Sequence, residues 1–464
     1  MPRVPSSPEW ADCPRAANTS GNRPPPMIPT PSLAPLDEAP DAPLDELARR
    51  QHAWRATQRP GALWPGLDRE VIQSAADAIG RAVTQRLRGE RARLELPGRG
   101  RDDGRRARAV GVAALITGVG PLLGAWILGG ELDADDPIAN VLVRHLAHGR
   151  AREARIRGVV LPVLARMERA GLQPGVIKGF HTAHGYFPEP GARPFADVDV
   201  VVPPAAIASA EDQLREAGFL PEPRTGGIGY KREWFPPEGR GDVWSYELWH
   251  ARSRWKLDLH DGLNFDSVVR NVRAPQTPRF ADVLRLDGVT LRVADPNETI
   301  AALAAHASTE LYSQRLLRCV ELVLVVRRAT TAGTLDWLAV ESSLAERESL
   351  RFAYPMLALT ERLAPGAVDG VFLARLRDAT TARARAVTSA LSPTAPILDS
   401  GFSLRTRLMW ALGTTATLRW LWGMIKPLEG VSRRDQLRTY RHRTMRLLGL
   451  VRSARSNPDG TRMG

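Results

Sequence analysis

Two aspartates separated by one apolar residue, Asp197-Val198-Asp199, are the part of this sequence best suited to chemistry. On a β-strand, residues i and i+2 share a face. Both carboxylates then point one way, while Val198, Val200 and Val202 point the other way, into a core. Neighbouring carboxylates repel each other unless a cation sits between them. Hard oxygen donors at this spacing suit Mg²⁺, which takes a few carboxylates together with substrate phosphates. A third carboxylate would complete a phosphoryl-transfer site. Asp258 is the best candidate: in Lys256-Leu257-Asp258-Leu259-His260 it shares a face with His260, and Leu257 and Leu259 lie behind. Asp261 is the fallback. An Asp-x-Asp pair on an exposed edge strand is the plainer alternative. The Arg193-Pro194 turn before the pair, the apolar run after it and the second carboxylate-bearing strand favour the site.

The elements that must position these residues can be read from periodicity. Val176-Ile177 is a short strand ending at Lys178-Gly179, where the glycine would let a following helix start close to a bound anion. Residues 195–202 alternate and are β-branched, a strand ended by Pro203-Pro204. Residues 205–217 form a helix closed by Gly218. Three further strands, antiparallel neighbours, are expected over 230–235, 243–250 and 255–260, with a Pro-Gly-rich turn at 236–241. Upstream, residues 138–172 form one long amphipathic helix or two consecutive ones. Ile156, Val159, Val160, Val163, Leu164 and Met167 fall on one face, and Gly171 closes the run. Residues 46–95 have helical spacing, and 99–108 read as a basic linker loop. From Asp295-Pro296-Asn297-Glu298, a helix-start signature, helices run to the end, including a basic last helix over 433–455. The expected fold class is α/β (α+β): a small mixed sheet with flanking helices. Its organisation is a disordered leader (1–45), an N-terminal helical region (46–172), an α/β core (173–294) and a C-terminal helical domain (295–464).

The 464 residues are enough for a sizeable core. A formal net charge of +13 points either to an anionic partner or to compositional bias. Bias is the simpler reading, because the basic residues are arginines spread along the chain, and lysine occurs only at 178, 231, 256 and 426. Two cysteines, Cys13 and Cys319, exclude a disulfide framework or a cysteine zinc site and fit a reducing, cytoplasmic setting. Cys319 reads as a core residue. The start of the chain lacks the pattern of a signal peptide. Residues 109–130 carry no charge and imitate a membrane span. The Gly120-Pro121 break makes them two buried helical pieces instead, so no membrane is expected. His181 and His184 read as surface or packing histidines, His306 as a buried, hydrogen-bonded one, and Trp410, Trp420 and Trp422 as core. Nucleic-acid binding through the basic C-terminal helix is conceivable but not favoured. Gly226-Gly227-Ile228-Gly229 is not a dinucleotide fingerprint.

The central segment resembles a bacterial family of uncharacterised nucleotidyltransferases. The likeness rests on Lys178-Gly179, on Tyr186-Phe187-Pro188-Glu189-Pro190, on Arg193-Pro194, and on Asp197-Val198-Asp199 with its apolar continuation. It extends to Gly120-Pro121-Leu122-Leu123, to Leu257-Asp258-Leu259-His260, and to a helical stretch holding His306 and Arg318, covering about residues 110–330. The resemblance implies the nucleotidyltransferase fold of the polymerase-β-like superfamily. It implies a Mg²⁺-dependent transfer of a nucleoside monophosphate from a nucleoside triphosphate such as ATP, with up to two metals. The acceptor stays open between a peptide and a small molecule. In this reading Asp197, Asp199 and Asp258 are metal-binding and catalytic, with Asp258 either a ligand or the general base. Lys178, Gly179, Arg193 and His260 bind the nucleotide. Lys178-Gly179 stands where the wider superfamily carries Gly-Ser. A second implied reading is therefore a catalytically degenerate binding or accessory protein.

Overall fold

Short β-branched runs and their turns build the element that carries the aspartates, a seven-stranded mixed sheet. The computed structural model describes residues 44–395, apart from 58, 97–102, 223–230, 239–242, 244, 263–277 and 312–314, together with 408–410 and 418. The described residues all lie in one compact unit, Ala39–Gly464. Helices α1 (Leu44–Thr57) and α2 (Arg69–Leu87) come first, followed by β1 (Ala92–Leu94), α3 (Asp103–Thr117), α4 (Gly120–Leu128), β2 (Leu132–Ala134) and α5 (Asp136–Arg169). The sheet region holds β3 (Gly175–Ile177), α6 (Lys178–Gly185), β4 (Asp197–Val201), α7 (Ile207–Glu216), β5 (Leu220–Pro221), β6 (Lys231–Phe235), β7 (Lys256–His260), β8 (Asp282–Leu286) and β9 (Val289–Val293). Then come α8 (Pro296–Thr309), α9 (Arg315–Thr331), α10 (Trp337–Glu346), α11 (Leu350–Leu363), α12 (Gly370–Ala379) and α13 (Ala382–Ala390). The class is α+β.

The strand order is β5-β6-β7-β4-β3-β9-β8. Central β4 runs parallel to β7 and antiparallel to β3. Val176, Val198, Val200, Leu257, Leu259 and Trp234 face one way and bury against Ile156, Val160, Val163, Leu164 and Met167 of α5 and Ile207, Ala210 and Leu214 of α7. The apolar stripe read on α5 is therefore the stripe that packs beneath the sheet. A second core joins α2, α3, α4 and the first half of α5 to α8, α9, α10 and α11, and it includes Ile177 and Val201 from the opposite sheet face. The aspartate-bearing face thus looks toward helices drawn from both ends of the described chain.

Several local expectations hold. Asp295 caps α8, its side chain accepting from Asn297 N at 2.9 Å and Glu298 N at 3.1 Å. The run read over 138–172 is one helix, α5 (Asp136–Arg169), which continues through Pro162. The apolar segment 109–130 is two buried helices, α3 and α4, bent by 117° to one another. Among the described residues no single helix is long and apolar enough to cross a membrane. The turn is at Gly118, whose φ of +79° favours glycine, rather than at Gly120-Pro121. Gly120 and Gly124 serve close packing instead: a Cβ on Gly124 would stand 2.3 Å from the Leu142 carbonyl oxygen of α5.

Two expectations need correction, and one element was missed. Residues 243–250, read as a strand, form no strand among their described positions. Their polar groups are taken by the N-terminal helices and the loop after α1: Trp64 Nε1 donates to Tyr246 O at 2.9 Å, the Tyr246 hydroxyl donates to Leu47 O, and Arg108 pairs with Glu247. The basic stretch 99–108 is helical from Asp103 onward. There Arg105 meets Asp68 and Arg106 meets Asp103, so local carboxylates neutralise these arginines. The β8–β9 hairpin was not anticipated, although Asp287-Gly288 signals it: both residues have positive φ, 47° and 80°, as a two-residue turn requires. The leader, Gly226-Gly227-Ile228-Gly229, Cys13, Trp420, Trp422 and the basic stretch 433–455 lie outside the described residues.

Candidate metal and nucleotide site

Strand register decides which side chains meet. Asp197 lies opposite Lys256, Asp199 opposite Asp258, and Val201 opposite His260 on the parallel β4–β7 pair. On the antiparallel β6–β7 pair, Lys231 lies opposite His260 and Glu233 opposite Asp258. Residues opposite one another share a face. One sheet face therefore presents Asp197, Asp199, Asp258, His260, Lys231, Glu233 and Lys256 together. Asp261 points to the other side, where Arg232 reaches it from a strand position that also meets Glu211 of α7. The choice between Asp258 and Asp261 thus falls on Asp258.

The donor atoms of Asp199, Asp258 and His260 all lie within 4.8 Å of one another, and all three residues are buried. Such a group can hold a metal ion. Asp197 shares the face but falls outside this close group. It begins the strand, is half-exposed, and faces Lys256 rather than a second carboxylate. Of the expected triad, Asp199 and Asp258 stand in the close group together with His260, and Asp197 stands on the same sheet face at the start of β4. Asp197 acts through its field on Lys178, Lys231 and Asp258.

The charges on the two central aspartates diverge. Burial pushes Asp258 up to about 7, the Asp199 charge adds to this, and Lys231 works against it. Burial would also raise Asp199, but Lys178 and the His260 hydrogen bond more than offset it and hold the carboxyl well below its ordinary range. His260 Nε2 lies 2.9 Å from Asp199 Oδ1. Burial keeps this imidazole below its usual value, hence neutral, which makes Nε2–H the donor to Asp199. Neither Asp258 oxygen receives a well-formed hydrogen bond from a described residue. The ammonium groups of Lys231 and Lys256 are its cationic contacts, the latter at 3.3 Å. A buried carboxylate met by lysine ammonium groups, beside an ionised one, is an arrangement a divalent cation could also satisfy.

Lys178 is the first residue of α6 and adopts φ +50°, a left-handed conformation that costs a non-glycine residue about 1 kcal/mol or more. Its ammonium contacts Asp199 Oδ1 at 3.0 Å. Burial disfavours that charge, but Asp199 and Asp197 more than compensate, so the ammonium stays protonated above its ordinary value. Gly179 serves close packing: a Cβ there would stand 2.8 Å from Arg193 Nη1 and 3.0 Å from Phe195 Cβ. Arg193 was expected to face a phosphate. Its guanidinium instead forks onto Glu321 of α9, with Nε to Oε1 at 2.8 Å and Nη2 to Oε2 at 3.0 Å, both side chains nearly excluded from water. Thr182 of α6 donates to the same carboxylate. These contacts tie α6 and the turn before β4 to the C-terminal helices.

Four residues that sequence reasoning did not assign to the site belong to its surroundings: Lys231, Glu233, Lys256 and Arg152. Arg152 of α5 is buried and donates to the carbonyls of Phe195 (3.0 Å), Ser253 (2.6 Å) and Arg254 (3.1 Å), fixing the chain just before β4 and β7. The rarity of lysine and the parity of 231 with 233 were the available signals. Among the remaining histidines, His181 is a packing residue, driven by burial to about 4. His306 is mostly covered, as expected, and burial holds it well below its ordinary value; its Nε2 lies 3.8 Å from Glu310, beyond hydrogen-bond length. Cys319 is buried, its thiol pushed up to about 12 by burial, and Trp410 packs on Phe352 in the core. A family model described as "Uncharacterised nucleotidyltransferase" matches residues 117–365, more than half of the chain. No curated protein and no solved structure matches it.

Proposed function

Because the chain belongs to the uncharacterised nucleotidyltransferase family, we propose that it transfers a nucleoside monophosphate from a nucleoside triphosphate, ATP being the first to test, to a peptide or small-molecule acceptor. The observation that carries this reading is the convergence of Asp199, Asp258 and His260 on one buried point of the sheet. Asp199 and Asp258 would hold Mg²⁺, with Asp197 adding negative charge. The bound cation would supply charge neutralisation for the attacking and leaving oxygens. His260, bonded to Asp199, orients that carboxylate. Lys178 stands ready to meet a phosphate oxygen as a compact point charge. In the transfer, the acceptor oxygen or nitrogen bonds to the α-phosphorus, the bond to the bridging oxygen breaks, and pyrophosphate leaves. The proton of the acceptor must go to a base. An Asp258 near neutrality supports that role as an alternative to metal binding. A cytoplasmic setting, with no membrane and no nucleic-acid partner, fits this reading.

Two specific contacts favour a second reading, a degenerate protein that binds a partner without catalysis. Lys178 on Asp199 and Lys231 on Asp258 already counter the carboxylate charge. Incubation with α-phosphate-labelled ATP, Mg²⁺ and a cell extract tests the first reading, which expects label on a product. Asp199→Asn and Asp258→Asn, keeping shape without charge, should abolish labelling and Mn²⁺ binding by calorimetry. Retained metal binding with lost labelling in Asp258→Asn assigns it the base. A folded wild-type protein that binds neither Mn²⁺ nor ATP would overturn the enzyme reading in favour of the second.

A further inference from the structure

The chain uses lysine four times and arginine everywhere else it needs a fixed positive charge. Three of the four lysines, Lys178, Lys231 and Lys256, stand on the carboxylates of one sheet face. An arginine-biased composition has kept ammonium groups where the carboxylates crowd. The two groups differ in a way that bears on this: guanidinium makes a planar fork that locks onto a carboxylate, as Arg193 does on Glu321, whereas ammonium is a compact charge that exchanges partners with little geometric loss.

Lys231 has two partners. It touches Asp258, which is fully buried, and lies 3.2 Å from Glu233, whose side chain is about a third exposed. Lys256 bridges the same two carboxylates, on Glu233 and at 3.3 Å from Asp258 Oδ1. Residues 231 and 233 are neighbours on one face of β6 and the ammonium already reaches both acids, so a small rotation of the lysine side chain takes its charge off the buried acid and leaves it on the outer one. Burial would raise Glu233, but its bonds to Glu222 and to Lys256, with the Lys231 charge, outweigh burial and hold its carboxyl below the usual carboxylate range. Glu233 is thus the outer, more exposed of the two seats for the lysine charge.

We propose that Lys231 is an exchangeable counter-cation of this site: it neutralises Asp258 in the free protein, yields that carboxylate to a divalent cation, and turns to Glu233 and the phosphates of the incoming nucleotide. This rests on the nucleotidyltransferase reading above. Two consequences follow from charge. The free site resists metal, because a cation must displace an ammonium already seated. Nucleotide favours metal binding beyond its own chelation, because it gives the displaced ammonium a new partner. Lys178, held by an ionised Asp199 that also accepts from His260, has no second ion-paired acid of this kind among the described residues.

The test is calorimetric titration of the full chain with Mn²⁺, alone and with α,β-methylene-ATP, which cannot release the terminal phosphates by transfer. Lys231→Met should bind Mn²⁺ alone about tenfold tighter than wild type or better, the equivalent of one charged contact no longer in competition. It should bind the analogue, with Mn²⁺ present, about tenfold weaker. Lys256→Met, which removes a longer contact to Asp258, should move Mn²⁺ affinity in the same direction by less, and it serves if Lys231→Met does not fold. Unchanged or weaker Mn²⁺ binding in both variants, with a wild type that binds Mn²⁺ and the analogue, overturns the exchange and leaves the nucleotide reading standing. A wild type that binds neither ligand, together with a Lys231→Met that also binds neither, overturns both.

Discussion

Replacing Arg193 by methionine separates a structural role from a substrate-binding one. The guanidinium makes two hydrogen bonds to Glu321 at 2.8 and 3.0 Å, with one-tenth of the arginine side chain and almost none of the glutamate exposed. Water therefore cannot take over the freed charge. Removing one member of such a pair costs about 3–5 kcal/mol, because the other is left buried and uncompensated. Thr182 still donates to Glu321 after the change, which puts the expected loss near the lower end, about 3 kcal/mol. The assay is urea unfolding near pH 7, read as a lower midpoint at unchanged slope. Glu321→Met alone should cost a similar amount, and the double variant less than the two singles added, by about 2 kcal/mol. A variant within about 0.5 kcal/mol of wild type, the range of a neutral surface change, that had lost ATP affinity would refute this argument and return Arg193 to the phosphates.

Other outcomes follow from the same geometry. Lys178→Ala should weaken Mg²⁺-ATP binding, measured by calorimetry, by about 1.5–3 kcal/mol, a charged hydrogen bond; a lower melting temperature with unchanged ATP affinity would mark the lysine as a structural ion pair only. Because Lys178 has φ +50°, Lys178→Gly should be more stable than Lys178→Ala by about 0.5–1 kcal/mol, a difference read by thermal melting. Buried His145 is held down to about 3, chiefly by burial, with His148 and Arg144 adding to it. Its folded value lies below its unfolded one, so its contribution is present above the unfolded value near 6.5 and is lost as pH falls toward 3. At about pH 4.5 the loss is on the order of 2–3 kcal/mol, and His145→Gln should remove that part of the acid sensitivity in denaturation curves. Gly124→Ala would set a Cβ 2.3 Å from a backbone oxygen of α5; α4 must move, at a cost of about 1–3 kcal/mol in urea unfolding, and a wild-type midpoint would contradict the packing described.

Strand parity and turn chemistry were legible in the residues themselves. Asp197-Val198-Asp199 and Leu257-Asp258-Leu259-His260 alternate so strictly that acids and apolar residues must part to opposite faces, and the sheet parts them so. Asp295-Pro296 announced a helix start, and Asp287-Gly288 carried an unread hairpin signal, because both depend on neighbours in the chain. Tertiary structure alone decided the register that sets Asp199 beside Asp258 and brings His260 in closer than Asp197. It alone sent Arg193 to Glu321, 128 positions away, and gathered lysines from β6, β7 and the start of α6. The reason is physical. Alternation and capping are fixed by local geometry within a few residues. The partner of a buried charge is chosen by which distant element closes over it, and the cost of leaving that charge unpaired is paid only in the assembled fold.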